Sequence, residues 1–329
     1  MIPQSEQLRH FRSNYLNLII LPTEACNFRC TYCYETFENK KMARPVVNGI
    51  KSLIDRRGEE LDELELGWFG GEPLLALDVI TEICKHAIEV GKAKGFTFRS
   101  GMTTNGYFLD QARLARCLDH KIDFFQISLD GDAEEHNASR KLASGEGTFD
   151  RIWSNLMAMK ASTAQFTALL RLHYAMENFV AVGQFARRCR DVFGDDPRFR
   201  YFFHHIARLG GPNDDGITVV SKQDQKEIET YLWSQVGISR PAEEEDDDYV
   251  CYAAKGNSLV IRSTGRLAKC TVALSDSCND IGSISENGDI CVDQKKFQRW
   301  IAPLAEADWD NVSCPLPAVV RQVEFEGVT

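Results

Sequence analysis

The sequence has no apolar run that approaches the roughly 20 residues needed to cross a bilayer. Its first residues, Met1 to Glu6, do not form a signal peptide. Basic charge is scarce, with 38 Lys and Arg against 48 Asp and Glu and a net charge of -10. Binding to nucleic acid depends on a basic surface. We therefore expect a cytoplasmic protein that binds neither a membrane nor nucleic acid.

Proline is also rare, with 10 in 329 residues, whereas 43% of the chain is hydrophobic and 26% is charged. These values indicate a globular protein with room for one large domain, or for one large and one small domain. Cysteine is abundant by comparison, with 11 residues. Because cytosolic thiols are kept reduced, the cysteines indicate metal ligation or redox chemistry and not a disulfide scaffold.

Apolar runs alternate with helical patterns along most of the chain. Six runs predict strands: Leu16–Leu21, which we expect to be buried on both faces, Leu64–Phe69, Phe96–Thr104, Phe124–Leu129, Ala168–Tyr174 and Arg200–Ile206. Helices are predicted at Pro45–Arg57, at Leu75–Lys94 and near 110–119, 147–161, 178–192 and 222–237. Six βα units predict an α/β fold, a partial (β/α)6 TIM-type barrel whose site lies at the C-terminal ends of the strands.

A change of composition follows the last predicted helix. Residues 243–248 are six consecutive acidic residues, which repel one another and indicate a solvated linker. We therefore divide the chain into a barrel at 1–240, a linker at 241–250 and a small cysteine-rich extension at 251–329. A hairpin is predicted in the extension, with strands at Ser258–Ile261 and Arg266–Thr271.

Three cysteines follow the first predicted strand at the spacing C-x3-C-x2-C, namely Cys26, Cys30 and Cys33. Three thiols cannot complete the four-ligand shell of a structural zinc site. They can hold one face of an iron–sulfur cluster, for which cysteine is the usual ligand, and leave one iron open. The alternative is three incidental or zinc-binding cysteines.

The second predicted strand ends in Gly70-Gly71-Glu72-Pro73. Two glycines allow the backbone to approach a ligand closely, and the carboxylate of Glu72 can accept hydrogen bonds from an ammonium group. The alternative is a tight turn with a solvated Glu72.

The fourth predicted strand ends in Ser128-Leu129-Asp130-Gly131, and Arg140 follows. The planar guanidinium of Arg140 suits bidentate binding of a carboxylate. We interpret His136 as a loop residue. His204 and His205 close the sixth strand, but neither is assigned a catalytic role, and no other catalytic residue is assigned.

The cysteine spacing, with aromatic Tyr32 before the last cysteine, resembles the signature of radical S-adenosylmethionine (radical SAM) enzymes. In that family SAM chelates the open iron of a 4Fe-4S cluster and is cleaved to a 5'-deoxyadenosyl radical that abstracts hydrogen from the substrate. The resemblance implies that the cluster is held by Cys26, Cys30 and Cys33. It also implies a cofactor site formed by Tyr32, by Gly70, Gly71 and Glu72 at the SAM amino group, by Ser128 and Asp130 near the ribose, and by Arg140 at the carboxylate.

The extension resembles the SPASM or shorter twitch extension of radical SAM proteins through Cys251, the Gly265-x4-Cys270 stretch and Cys314. The resemblance implies one auxiliary 4Fe-4S cluster, because a full SPASM extension has more cysteines near its end. Its fourth ligand would be Cys278 or Cys291, or the iron would stay open. The alternative for these last two cysteines is burial as structural thiols.

The resemblance implies a maturase that forms a thioether or carbon–carbon crosslink in a ribosomally made peptide. A single auxiliary cluster argues against the sulfatase-activating branch. Alternatives are an epimerase, a dehydrogenase of a peptide or a small alcohol, and a non-catalytic metal-binding scaffold that recognises peptides. Expected partners are a precursor peptide and a flavodoxin- or ferredoxin-type electron donor. Because only about fifteen residues precede the first strand, the peptide leader would bind the barrel, the extension or a separate protein.

Overall fold

One ten-stranded sheet organises the computed structural model, which describes residues 8–238 and 249–327. The strands are β1 (Tyr15–Ile20), β2 (Phe28–Cys30), β3 (Glu63–Trp68), β4 (Thr97–Thr104), β5 (Ile122–Leu129), β6 (Arg140–Leu142), β7 (Thr167–Tyr174), β8 (Phe199–His205), β9 (Ser258–Ile261), β10 (Arg266–Ala268), β11 (Gly282–Ile284) and β12 (Ile290–Val292). Strands β2 and β6 form a separate two-stranded ladder. Most of the predicted acidic linker, residues 241–248, lies outside the described residues.

Helices connect the strands of the large sheet. They are α1 (Arg44–Arg57), α2 (Leu77–Lys94), α3 (Gln111–Asp119), α4 (Ala133–Ser139), α5 (Phe149–Ala161), α6 (Phe179–Phe193), α7 (Lys222–Val236), α8 (Gln294–Ala305), α9 (Trp309–Val312) and α10 (Leu316–Gly327). No helix within the described ranges is long and apolar enough to span a bilayer.

Six strands run parallel in the order β1-β3-β4-β5-β7-β8, which is their order along the chain. A helix follows each of the first five, so each βα unit places the next strand beside the last. The sheet stays open at β8 and does not close on itself. The α/β fold predicted as a partial barrel is thereby confirmed.

Helix α1 shows why the predicted elements form. Pro45 lies in its first turn, where a missing N–H costs nothing, and the helix ends at Gly58. Its buried residues recur at helical spacing: Val46, Val47, Ile50, Leu53 and Ile54. They pack on the same face of the sheet as the buried residues of β1, and together they form the main core.

Strand β1 is not buried on both faces, and in this respect the prediction was wrong. Leu16, Leu18 and Ile20 are buried, whereas the alternate residues Tyr15, Asn17 and Ile19 are half-buried. The reason is that the helix side chains pack against Leu16, Leu18 and Ile20, whereas the alternate residues on the other face are only partly covered.

The predicted hairpin of the extension is confirmed, and it continues the large sheet. Strand β9 pairs in parallel with β1, and β10, β11 and β12 follow as an antiparallel meander. Strand β10 ends at Ala268 and not at Thr271. The reason is that the backbone N–H groups of Lys269 and Cys270 donate to the Asn279 side chain, each at 2.9 Å. The division into 1–240 and 251–329 remains a prediction.

Candidate active site

The loop after β1 carries the three motif cysteines on the C-terminal side of the sheet. Cys26, Cys30 and Cys33 are half-buried free thiols. Cys30 ends β2, which pairs with β6 so that Cys30 lies opposite Arg140. Phe28, also on β2, is only 1% exposed and packs against the main core. The cysteine loop is therefore held in place by a buried aromatic ring and a short ladder.

The Gly-Gly-Glu-Pro turn packs directly against this loop. The backbone N–H of Glu72 donates to the carbonyl of Ala25 at 2.9 Å. A Cβ at Gly71 would lie 2.4 Å from the same carbonyl oxygen, well inside contact distance. The glycines thus allow the turn to pack closely against the cysteine loop, whereas their predicted approach to a ligand stays a prediction.

Glu72 is fully buried, so the predicted alternative of a solvated side chain is wrong. Its Oε1 accepts from the Leu74 N–H at 3.0 Å and from the Thr104 hydroxyl at 2.8 Å. Its Oε2 accepts from the Asn105 N–H at 2.8 Å. A carboxylate offers about four acceptor sites, so one remains for a ligand. Burial raises the pKa of Glu72, and a bound cation would oppose that rise.

Asn105 links the turn after β4 to both motifs. Its side-chain amide donates to the Asn27 side-chain oxygen at 2.9 Å and lies 4.0 Å from the Cys26 sulfur. The Asn27 Nδ2 is buried and has no partner among the described residues. These contacts place Asn105 between the Glu72 turn and the cysteine loop.

Asp130, Tyr32 and Arg140 form one buried network. The Tyr32 hydroxyl lies 2.8 Å from both carboxylate oxygens of Asp130 and accepts from Arg140 Nη1, also at 2.8 Å. His173 Nδ1 lies 3.1 Å from Asp130 Oδ1. Burial opposes the charge on Asp130, but the His173 hydrogen bond and the Arg140 charge hold the pKa of Asp130 well below its usual value. The network keeps Asp130 ionised.

The other residues predicted for this part of the site, Ser128 and Arg140, lie on or beside the Asp130 network. Ser128 is buried two positions before Asp130 on β5. Ser139, which sequence reasoning missed, donates to Asp130 Oδ2 at 2.5 Å. Arg140 is 7% exposed, and its Nε has no partner among the described residues. Arg140 thus retains a donor for a ligand.

His136 is not a loop residue, and this prediction was wrong. It lies in α4, is fully buried, and its Nε2 is 3.1 Å from the Thr148 hydroxyl. Asp132 starts the helix by accepting from the Ala133 N–H at 2.8 Å. An Asp before a short helix is a recognisable N-cap signal that could have placed this helix.

His204 and His205 close β8 as predicted, and a further histidine lies beside them. His173 of β7, which the sequence reasoning missed, is in register with His204, with ring centroids 6.0 Å apart. Burial lowers the pKa of His173 to about 4 and that of His204 well below its usual value. Both rings are therefore neutral at physiological pH. The sequence did offer a signal for His173, because this residue lies two positions after Arg171 near the end of a predicted strand.

The extension brings three of its cysteines close together. Burial raises the pKa of Cys251 to about 11, with smaller contributions from Cys270 and Cys314. The Cys251 N–H donates to the Val312 carbonyl at 3.1 Å, which brings the segment around Cys314 alongside. Cys278 is buried. Burial raises the pKa of its thiol to about 12, with further contributions from Asp276 and Cys270. Cys291 is exposed on β12.

The cysteine loop fits an iron–sulfur cluster better than a single ion. Among the described residues, no three His, Cys, Asp or Glu side chains converge on one metal position. Each thiolate of a cluster binds its own iron, so cluster ligands need not converge. Burial raises the pKa of Cys26 to about 12 and that of Cys33 to about 11. Metal binding would deprotonate these thiols and release protons.

Comparison with known proteins agrees with this geometry. Residues 20–170 match the Radical SAM superfamily. A cysteine-type anaerobic sulfatase-maturating enzyme of Clostridium perfringens is 27% identical over 161 residues, 47% of this chain and 43% of the relative. A second such enzyme, of Clostridium novyi, is 26% identical over 162 residues with the same coverage. The match thus spans less than half the length of either relative.

Two solved structures share the fold. Native anSMEcpe with bound AdoMet and Cp18Cys peptide has a TM-score of 0.61 at 18% identity, covering 86% of this chain and 80% of that one. Streptococcus suis SuiB bound to precursor peptide SuiA has a TM-score of 0.60 at 14% identity, covering 96% and 73%. The family uses a 4Fe-4S cluster and SAM. This chain contains a radical SAM domain, which the superfamily match places at residues 20–170.

Proposed function

We propose that this protein is a radical SAM enzyme that modifies a ribosomally made peptide by forming a thioether or carbon–carbon crosslink. One observation carries the proposal. The cysteine loop, the buried Glu72 and the Asp130–Arg140 network meet at the C-terminal edge of the sheet, beside a cysteine-rich hairpin that is hydrogen-bonded to β1. Electron donation would come from a flavodoxin- or ferredoxin-type protein.

When bound, the cluster and SAM would supply a 5'-deoxyadenosyl radical that takes a hydrogen atom from the substrate. The protein's own part is to hold and orient. Cys26, Cys30 and Cys33 would hold the iron, and the free acceptor site of Glu72 would bind the SAM ammonium group. The unpartnered Nε of Arg140 would donate to the SAM carboxylate.

Tyr32, Ser139 and His173 would keep Asp130 ionised and fixed beside the nucleoside, since all three contact its carboxylate. Cys251, Cys270 and Cys314 would hold one auxiliary 4Fe-4S cluster, with Cys278 or Cys291 as a candidate fourth ligand unless one iron stays open. That cluster would accept the electron left after bond formation.

A peptide substrate is supported by the relatives, and the half-buried alternate residues of β1 are consistent with it. Both similar structures carry a peptide, Cp18Cys in one and the precursor SuiA in the other.

A second candidate is oxidation of a cysteine or serine in a sulfatase. The curated relatives, which are named as sulfatase-maturating enzymes, favour it. A single auxiliary cluster, where a full SPASM extension would hold more than one, argues for the crosslinking maturase. The two reactions differ in their product, so one experiment separates them.

The test is anaerobic incubation of the reconstituted protein with SAM, dithionite and short peptides encoded beside its gene, read by mass spectrometry. Crosslinking removes the mass of two hydrogens and joins two residues of the peptide. The sulfatase-type reaction instead oxidises a single cysteine or serine of a sulfatase peptide and joins no residues. Unchanged mass with deuterium gained from solvent indicates epimerisation. Loss of two hydrogens without a bond between two residues indicates dehydrogenation.

The cluster itself is checked in the same preparation. We expect the triple variant Cys26→Ala, Cys30→Ala, Cys33→Ala to lose the cluster absorbance and the formation of 5'-deoxyadenosine. The core variant Cys189→Ala is the matched control and should retain both, because Cys189 is a buried residue of α6 and not a motif cysteine. Wild-type protein that forms no 5'-deoxyadenosine would support the scaffold alternative.

A further inference from the structure

Arg171 occupies the inner face of the sheet below the site. It lies on β7 in register with Ser128 of β5 and Phe202 of β8, two residues before His173. Its guanidinium lies over the Phe202 ring, 5.9 Å from the centroid. Arg171 therefore points from the barrel wall toward the space under the Asp130 network.

No carboxylate pairs with this guanidinium in the part of the chain that the structure describes. The Arg171 Nε is buried and has no hydrogen-bond partner there. Arg140 differs, because Tyr32 and Asp130 contact it directly. A buried donor without an acceptor is costly. Burial lowers the pKa of Arg171, although the nearby Tyr34 and Asp130 act in the opposite direction. The arrangement is complementary to an anion that a ligand would supply.

The neighbours of Arg171 indicate which ligand this is. Burial raises the pKa of Tyr34 on the cysteine loop, and Arg171, Cys270 and Cys33 are near enough to contribute to the shift. Tyr34 is thus near Arg171, near a motif cysteine and near a cysteine of the extension. A substrate must be presented in this space if the two cysteine groups act on the same reaction.

We propose that Arg171 binds a carboxylate of the substrate, from an acidic side chain or the C-terminus of a peptide, and thereby selects which residue is modified. The inference rests on the proposed function, since it assigns the substrate class of that site. The carboxylate of SAM is the competing source of the same chemistry, and the experiment separates the two.

The first measurement does not require the natural peptide. Phenylglyoxal modifies accessible arginines, and peptide mapping of the reconstituted protein identifies the modified positions. With SAM bound, we expect N-acetylglutamate to protect Arg171, whereas its uncharged analogue N-acetylglutamine amide should not. Arg187, exposed on the outside of α6, is the internal control and should react equally in all samples. Protection of Arg171 by SAM alone, or by neither compound, overturns the proposal.

The second measurement uses a peptide that the wild-type protein modifies. We expect Arg171→Gln to raise the peptide KM roughly 10- to 100-fold, the effect of losing a charged hydrogen bond, with little change in kcat. Arg171→Lys should fall between, because it keeps the charge and loses the planar fork. Arg187→Gln is the matched charge-removal control and should match wild type.

Peptide variants locate the carboxylate. Amidating the C-terminus, or replacing each Asp and Glu by its amide, should reproduce the Arg171→Gln defect at one position, and the two changes should not add. A weaker SAM affinity in that variant, or an unaltered peptide KM, contradicts the proposal. Wild-type protein that modifies no peptide contradicts the proposed function, whereas the protection result still decides whether Arg171 binds carboxylate.

Discussion

At the scale of single residues, Gly71 and Glu72 of the Gly-Gly-Glu-Pro turn have a structural role as well as a predicted role in ligand binding. Gly71 has no room for a side chain, because the carbonyl of Ala25 occupies the position of its Cβ. The Glu72 carboxylate accepts hydrogen bonds at three of its acceptor positions. Both residues therefore support the cysteine loop and the fold as well as any ligand.

Gly71→Ala should displace the turn from the cysteine loop. The added methyl would sit 2.4 Å from the Ala25 carbonyl oxygen, so backbone must move. We expect a lower iron content after anaerobic reconstitution and a destabilisation of about 1–3 kcal/mol. Gly216→Ala is the control, since a Cβ there meets nothing within 4 Å. Equal iron content in both variants would show that the contact is tolerant.

Glu72→Gln should destabilise the fold even without SAM. The amide nitrogen of Gln would face one of the donors that Glu72 now satisfies, which leaves a buried donor without an acceptor. We expect a loss of about 1–3 kcal/mol in the free energy of unfolding, measured by urea denaturation. SAM affinity, measured by equilibrium dialysis, should fall as well. Unchanged stability would mean that the turn rearranges to satisfy the amide.

At the scale of elements, a buried carboxylate ties the cysteine loop to the hairpin of the extension. Glu24 is 3% exposed and accepts from Arg262 Nη2 at 2.6 Å, from the Ser263 hydroxyl at 2.9 Å and from Asn39 at 2.8 Å. Burial opposes the charge, but the hydrogen bonds of Arg262 and Asn39 lower the pKa of Glu24. The two cysteine-bearing parts of the chain are thus joined by one ion pair across 238 positions.

Removing both members of this pair should cost less than the sum of removing each one alone. Glu24→Gln or Arg262→Gln alone leaves a buried group without its partner, and we expect each to lower the free energy of unfolding by about 3 kcal/mol. The double variant should fall short of the sum by about 1–3 kcal/mol. Urea denaturation of the four proteins measures this coupling. Additive effects would show that loop and hairpin are held independently.

At the scale of the whole molecule, burial keeps most histidines neutral. The pKa is lowered for five of the seven: His10, His136, His173, His204 and His205. Burial is the largest cause in each case. Unfolding would restore an ordinary pKa near 6.5, so the unfolded chain binds more protons than the folded chain in mildly acidic solution.

The protein should therefore lose stability as the pH falls. The contribution of His173 is complete above pH 6.5 and is lost progressively down to its folded pKa of about 4. Each fully buried histidine should lower the free energy of unfolding by about 1.4 kcal/mol per pH unit within that window. Urea denaturation between pH 7.5 and 5.5 measures the slope. His173→Gln should reduce it, and His120→Gln, at the end of α3, serves as the control.

Much of the fold could be predicted because hydrophobic spacing specifies it locally. The six parallel strands and helix α1 follow from apolar periods, and the hairpin follows from Ser263-Thr264-Gly265. Strands β2 and β6, each of three residues, have no such period, and only their mutual pairing defines them. Sequence reasoning named Asp130 and Arg140 but missed His173 and Ser139, because their roles arise from contacts with Asp130.

The sequence by itself determined the family resemblance, the order of the strands and the motif cysteines, since these depend on spacing along the chain. Only the tertiary structure decided that Glu72 is buried with three of its acceptor positions filled, that Glu24 joins the cysteine loop to Arg262, and that the Arg171 Nε has no hydrogen-bond partner among the described residues. Burial and pairing are set by groups far apart in the chain, so no local pattern encodes them.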